Sequence, residues 1–169
     1  ALEIVGGITD LAFSERIYSV RFVGDRGYLV TFRQTDPLYT VALEDPERPR
    51  VLGELKILGY SPYLHPVGDD LLPGVGQDAT EQGRRLGTQL SLFDVSDPRN
   101  PRRLHQRALA AGSSSAVEWD HRAFLYWPAT RPTVVPVDAS AAGFRVTRQG
   151  IDPVGGVSQQ GWISRSAVI

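Results

Sequence analysis

The sequence predicts an all-β chain, a β-propeller built as about three four-stranded antiparallel blades of an incomplete ring. Three observations carry that prediction. Gly6, Gly59 and Gly112 stand at successive separations of 53 residues, and Leu2-Glu3-Ile4-Val5-Gly6 returns as Leu55-Lys56-Ile57-Leu58-Gly59. Asp45-Pro46-Glu47-Arg48-Pro49-Arg50-Val51-Leu52 returns 52 residues later as Asp97-Pro98-Arg99-Asn100-Pro101-Arg102-Arg103-Leu104, and Ile151-Asp152-Pro153 reads as a partial third copy. Between these markers short apolar runs alternate with turn residues, and no segment keeps a helical period for three turns.

The elements follow in chain order. Leu2 to Gly6 reads as the outer strand of a preceding blade. In the first unit, 7–59, Ile17 to Val23 is rich in β-branched and aromatic residues, Gly24-Asp25-Arg26-Gly27 supplies turn chemistry, and Tyr28 to Phe32 resumes the apolar run as a hairpin partner. Leu38 to Leu43 is nearly all apolar, as a strand covered on both faces should be, and it ends at the Asp45-Pro46 turn. Proline donates nothing to a ladder, so Asp-Pro-x-x-Pro belongs outside the paired strands, and Val51 to Leu58 follows as a fourth strand. The second unit, 60–112, repeats this order, with Leu90 to Val95 and Arg103 to Leu109 as its third and fourth strands.

Val23-Gly24-Asp25 recurs as Val67-Gly68-Asp69 after only 44 residues. The difference falls between this turn and Asp-Pro. There the first copy has Arg33-Gln34-Thr35-Asp36-Pro37 and the second has the longer Gly76 to Gly87, expected as a polar loop. The third unit is 113–165, with Trp162 to Ile169 near the first strand of another blade. A β-sandwich also uses short strands and many turns, but it has no need to repeat a turn sequence every 52 residues.

Composition bounds the function. With 18 Lys and Arg against 19 Asp and Glu, nothing draws the chain generally to nucleic acid or to an anionic membrane, and only Lys56 is lysine. Cysteine is absent, which excludes disulfides and thiolate metal sites. No apolar run approaches the roughly 20 residues that cross a bilayer as a helix. Ala1 at the start and Ser166-Ala167-Val168-Ile169 at the end read as cuts within a longer protein.

Several segments carry a resemblance. They are Arg16-Ile17-Tyr18-Ser19-Val20-Arg21-Phe22-Val23-Gly24-Asp25, Tyr28 to Tyr39, Leu52-Gly53-Glu54-Leu55-Lys56-Ile57, Tyr63-Leu64-His65-Pro66, Leu92-Phe93-Asp94-Val95-Ser96-Asp97-Pro98, Asp120-His121-Arg122-Ala123-Phe124-Leu125 and Tyr126-Trp127-Pro128. Together they resemble the secreted bacterial and archaeal proteins whose C-terminal β-propeller is distantly related to WD repeats, over roughly residues 14 to 137. The resemblance implies a secreted or cell-envelope location, a fragment of a longer propeller, and a family with no established biochemical activity. The stretch after Val137 is shorter and richer in Gly and Ala than the family pattern.

The binding candidates are His65, Asp78, Asp120, His121 and Arg122, because histidine can exchange protons or bind metal and a carboxylate can orient it. The blander reading gives His65 and the Asp120-His121-Arg122 run to contacts that satisfy neighbouring blades. No catalytic residue and no metal ligand set is assigned. A zinc site from His65, His105 and His121 would still need a carboxylate whose position the sequence does not give. No cofactor is expected. Calcium is left open only through the acidic residues of the Gly76 to Gly87 loop, since Gln77-Asp78-Ala79-Thr80-Glu81 lacks the spacing of an EF-hand. Ser113-Ser114-Ser115 reads as a flexible crossover between blades, and Trp119, Trp127 and Trp162 as packing between blades rather than platforms for glycans.

The functional reading is a non-catalytic extracellular binding or scaffolding module. The alternative is part of a propeller hydrolase or lyase in which His65, Asp120, His121 and Arg122 converge on a central channel. Expected partners are the remaining blades of a longer chain or a second copy, and an extracellular protein or glycan; nucleic acid and membrane insertion are not expected.

Overall fold

The β-branched and aromatic runs form twelve strands in the computed structural model, which describes residues 1–9, 11, 15–32 and 36–166. Strands β1 (Arg16–Val23), β2 (Arg26–Phe32), β3 (Asp36–Ala42) and β4 (Arg50–Ile57) pair in that order as one sheet. A second sheet comprises β5 (Tyr60–Leu64), β6 (Leu71–Ala79), β7 (Arg85–Asp94) and β8 (Arg102–Ala111). The third comprises β9 (Leu125–Tyr126), β10 (Pro132–Val137), β11 (Ser140–Thr147) and β12 (Gly150–Ser158). Every pairing is antiparallel between strands consecutive in the chain, so each sheet is a meander, the topology of a propeller blade. Two 3-10 turns, Ala116–Glu118 and His121–Ala123, lie on the crossover into the third blade.

The blades stack face to face, which explains the near-continuous apolar runs. Tyr28, Val30 and Leu38 of the first blade share a cluster with Leu64, Leu72, Phe93 and Val95 of the second. Tyr63, Val75, Leu90 and Leu92 of the second share another with Val135, Val137, Phe144 and Val146 of the third. Residues 87–94 of β7 are buried without a break because both faces of the middle blade are covered. Fully burying side chains of this size stabilises by about 1.5–3 kcal/mol each, so the seams hold the array together. Outer strands β4 and β8 alternate between half-buried and exposed positions.

The Asp-Pro turns lie between β3 and β4 and between β7 and β8, outside the ladders. In the second, the Asp97 carboxylate accepts from the Arg99 backbone N–H at 2.9 Å and from Asn100 Nδ2 at 2.7 Å. Five sequence expectations need correction. Ile151-Asp152-Pro153 is no third turn: these residues lie within β12, and the β11–β12 connection is only Arg148-Gln149. The Gly76 to Gly87 insertion is mostly a longer hairpin, because β6 runs on to Ala79 and β7 begins at Arg85, leaving Thr80–Arg84 as the loop. A ladder bonds through the backbone and tolerates polar side chains, and here Gln77 is buried with partners of its own.

The third correction concerns the glycines. Gly59 and Gly112 follow outer strands and adopt positive φ, 83° and 68°, whereas Gly6 does not share that conformation. Gly6 instead matches Gly53. A Cβ on Gly53 would lie 2.6 Å from the Pro98 carbonyl oxygen and 2.7 Å from that of Arg99, and one on Gly6 would meet the Pro46 and Glu47 carbonyls. Both glycines therefore let the Asp-Pro turn of the next blade rest directly on their backbone. Residues 1–9 form no strand, although Gly6 occupies this outer-strand position. Fourth, Ser113-Ser114-Ser115 is not a loose crossover: Ser113 and Ser115 are buried, and Ser115 forms a capping box with Glu118. Of the expected strand near Trp162 to Ile169, residues 162–166 form none and 167–169 lie outside the described residues; Arg33-Gln34-Thr35 lie outside them too.

Candidate functional site

The first strands of the blades, β1, β5 and β9, come together at the inner edges of the sheets, the side that faces the axis of a propeller. Arg21 Nε of β1 donates to the Leu64 carbonyl of β5 at 2.9 Å, and the guanidinium carbon lies 5.2 Å from the Tyr63 ring centroid. Tyr63 also meets the rings of His121 at 5.1 Å and Phe124 at 4.9 Å. His65, one residue beyond β5, packs against Phe124 at 4.9 Å and Tyr126 at 5.2 Å, and its Nδ1 lies 3.0 Å from the Tyr63 hydroxyl. Which atom donates in that contact depends on the imidazole tautomer.

Local sequence explains the arrangement. Alternation along β5 sends Tyr63 toward the third blade and Leu64 toward the first, and the strand ends at Leu64, just before His65 and Pro66. Burial lowers the His65 pKa and the Arg21 charge adds to that, so the ring is neutral near pH 7. Burial raises the Tyr63 hydroxyl pKa, with Arg21 acting in the opposite direction. The result is a neutral histidine held in an aromatic seam.

The other candidates do not complete a catalytic set. Asp120 caps the second 3-10 turn by accepting from the Arg122 backbone N–H at 3.1 Å, and its other oxygen pairs with Arg165 at 2.9 Å. These two partners hold its carboxyl below the ordinary range. Arg122 is exposed. Asp78 lies in the hairpin extension, and its Oδ1 accepts from the Ala79 backbone N–H at 3.0 Å. The structure thus brings both His65 and His121 onto Tyr63, while the Asp78 and Asp120 carboxylates are engaged with Ala79 and with Arg122 N–H and Arg165. Among the described residues, no three His, Asp or Glu side chains gather in a way that could hold a metal ion.

Sequence reasoning missed the most concentrated electrostatic feature. Asp94, at the end of β7, has a side chain 1% exposed. Its Oδ2 accepts from Arg148 Nη1 and Arg102 Nη2, each at 2.7 Å, and its Oδ1 accepts from Arg148 Nη2 at 3.1 Å and Ser96 Oγ at 2.6 Å. Arg148 comes from the third blade, so this pair clamps the second seam. Hydrogen bonds from Arg148, then Ser96 and Arg102, hold the Asp94 carboxyl well below the usual carboxylate range against the opposing effect of burial. The only signal in the sequence was one acidic residue at the end of the apolar Leu90 to Val95 run. Gln77 reinforces the same seam, with Nε2 donating to Glu118 Oε1 at 2.6 Å and to the Ser113 carbonyl at 3.2 Å.

The tryptophans were expected between blades and are instead exposed. Trp119 and Trp162 are 64% and 46% exposed and stack on each other with centroids 5.7 Å apart, while Trp127 is 44% exposed at the start of the β9–β10 turn. The stack follows from the crossover. Asp138 accepts from the Ser114 N–H through its carboxylate and from the Ile163 N–H through its carbonyl, which draws the Trp119 and Trp162 segments onto one end of the third blade.

Known proteins extend this picture. A family model described as a beta propeller domain matches residues 1–167. An uncharacterized protein of Methanocaldococcus jannaschii is 42% identical over 153 residues, covering 90% of this chain and 24% of that protein. An uncharacterized protein of Archaeoglobus fulgidus is 45% identical over 124 residues, covering 73% of this chain and 19% of that protein. The chain therefore spans a quarter or less of the length of these relatives. With three four-stranded meanders stacked face to face and a family match along nearly its whole length, this chain belongs to the beta propeller domain family.

Proposed function

We propose that this chain is a non-catalytic binding or scaffolding part of a propeller, distantly related to WD repeats, that works in a secreted or cell-envelope setting and takes a glycan on the end of its third blade. The Trp119–Trp162 stack carries this reading. Two exposed indoles offer apolar faces suited to the flat C–H face of a pyranose, and their cost in water is offset only when something covers them. Gln159 and the Asp120–Arg165 pair lie beside the stack and supply donors and acceptors for sugar hydroxyls. His65 and Asp94, by contrast, are engaged in the seams. The alternative hydrolase or lyase reading draws on His65 and His121 both touching Tyr63, but among the described residues it lacks a carboxylate partner there.

The test is titration of the chain with a panel of soluble oligosaccharides, followed by tryptophan fluorescence. A binder should shift or quench the emission, and Trp119→Ala and Trp162→Ala should each abolish the effect while leaving the circular dichroism spectrum unchanged. Saturable binding that survives both substitutions would remove the stack from the site. Turnover of a sugar, lost on His121→Ala, would favour the enzymatic alternative.

A further inference from the structure

We propose that the open face of the third blade seats the first blade of a second copy of this chain, so that two copies close head to tail, with each β12 replacing residues 1–9 of the other copy. The inference is independent of the glycan reading. It rests on how the chain builds its internal seams.

Each outer strand carries a β-bulge, at Leu52 in β4, Leu104 in β8 and Val154 in β12, because the register shifts between Val51 and Gly53, Arg103 and His105, and Pro153 and Gly155. The residues just after the bulges are Gly53, His105 and Gly155, the last at φ 149° and set further along its strand from the preceding turn than the other two. At the first seam, Gly53 lies under the long Asp97–Pro101 turn, and Thr40 Oγ1 donates to the Pro98 carbonyl. At the second seam the incoming turn is the short Arg148-Gln149, and His105 fits there, with Nε2 3.0 Å from the Arg148 carbonyl oxygen. A long turn thus meets glycine and a short turn meets a large side chain.

The third outer strand returns to glycine. A Cβ on Gly155 would have nothing within 4 Å, so the place that a turn fills over Gly53 stands open here. What fits it is a blade with a long Asp-Pro turn, and the first blade of this chain has one at Asp45–Pro49. That turn already rests on Gly6. Moreover, Val5-Gly6-Gly7-Ile8-Thr9 is repeated in β12 as Val154-Gly155-Gly156-Val157-Ser158, so the segment now on the first blade and the strand with the open seat are near copies. Residues 1–9 form no strand, and Leu2 and Ile4 are 107% and 94% exposed.

The apolar faces agree with this pairing. On the third blade a groove of about 370 Å³ is lined by Val134, Ala141, Gly143, Val154 and Val157. On the first blade Phe22, Leu29, Val41 and Leu43 line a groove of about 360 Å³ that Ile8 of the exchanging segment now borders. Small residues on one side face large ones on the other. Two copies joined this way make two identical contacts and close, instead of extending into a filament.

Sedimentation equilibrium across the micromolar range tests the proposal. The expected limit is twice the 18.5 kDa chain, with no larger species. Val157, 67% exposed in the single chain, can be changed to Asp with no cavity, and Val157→Asp should weaken dimerisation at least about tenfold without lowering the thermal midpoint of the dilute chain. Gly6→Val should drive residues 1–9 off the Asp45–Pro49 turn and tighten the dimer by about tenfold or more, and adding Val157→Asp should reverse that gain. Circular dichroism checks that each variant folds. A chain monomeric at every concentration, a dimer indifferent to Val157→Asp, open-ended growth, or weaker association of Gly6→Val would overturn the proposal.

Discussion

Asp94→Asn tests whether one buried carboxylate secures the seam between the second and third blades. The substitution keeps the shape and, with its oxygen at Oδ1, keeps the bonds from the Ser96 backbone and hydroxyl. It places an NH2 where Oδ2 accepts from Arg102 and Arg148 at 2.7 Å, so two charge-assisted bonds become donor against donor. Such bonds contribute about 1.5–3 kcal/mol each, or about 3–6 kcal/mol gross. The guanidinium side chains of Arg102 and Arg148 are 68% and 42% exposed and regain water, which reduces the net loss to about 2–3 kcal/mol. The assay is urea unfolding at pH 7 followed by tryptophan emission, since Trp119, Trp127 and Trp162 all report on the third blade and its crossovers. With an ordinary urea slope for a chain of this size, the midpoint should fall by about 1 M. Arg148→Gln combined with Asp94→Asn should cost clearly less than the two separate losses added together. The folded carboxyl stays ionised where the unfolded one takes up a proton, so this stabilisation is fully present above about pH 4 and is lost as pH falls below it. The gap between wild type and Asp94→Asn should close over that range. An unchanged midpoint at pH 7, or strict additivity with Arg148→Gln, would refute the clamp.

Two further substitutions probe the seams from other directions. Gly53→Ala forces a Cβ against the Pro98 and Arg99 carbonyls and should cost about 2–3 kcal/mol, whereas Gly24→Ala, at φ 57° with open space around it, should cost about 1 kcal/mol; equal urea midpoints would show that the Asp-Pro turn does not rest on Gly53. Because the folded state favours neutral His65, the chain should lose stability as pH falls below about 6.5 toward the lower folded pKa, and His65→Phe should flatten that slope; an identical pH dependence of the melting temperature would place the titration elsewhere.

Much of the fold was legible because it is written in short-range signals. The hairpin at Gly24-Asp25, the interrupted ladders at Pro46 and Pro98, and the apolar run at Leu90 to Val95 each depend on a few neighbouring residues. The candidate site was legible only in part. His65 and His121 stood out by their chemistry, but Tyr63, which both of them touch, looked like an ordinary strand aromatic. Asp120 looked like a partner for His121 and proved to be a cap paired with Arg165.

By itself the sequence determined the all-β class, the four strands of the first blade and the Asp-Pro turns that follow β3 and β7, since backbone dihedrals and side-chain alternation are local properties. The tertiary structure alone decided what each repeated residue is for. Gly6 belongs with Gly53 because of what rests on its backbone, a matter of the neighbouring blade. Asp94 and Arg148, 54 residues apart, became a clamp only when two sheets stacked face to face. Trp119 and Trp162 became a surface stack because two crossovers are tied to Asp138. Contacts across a seam depend on the distance between sheets, and no short-range pattern encodes that distance.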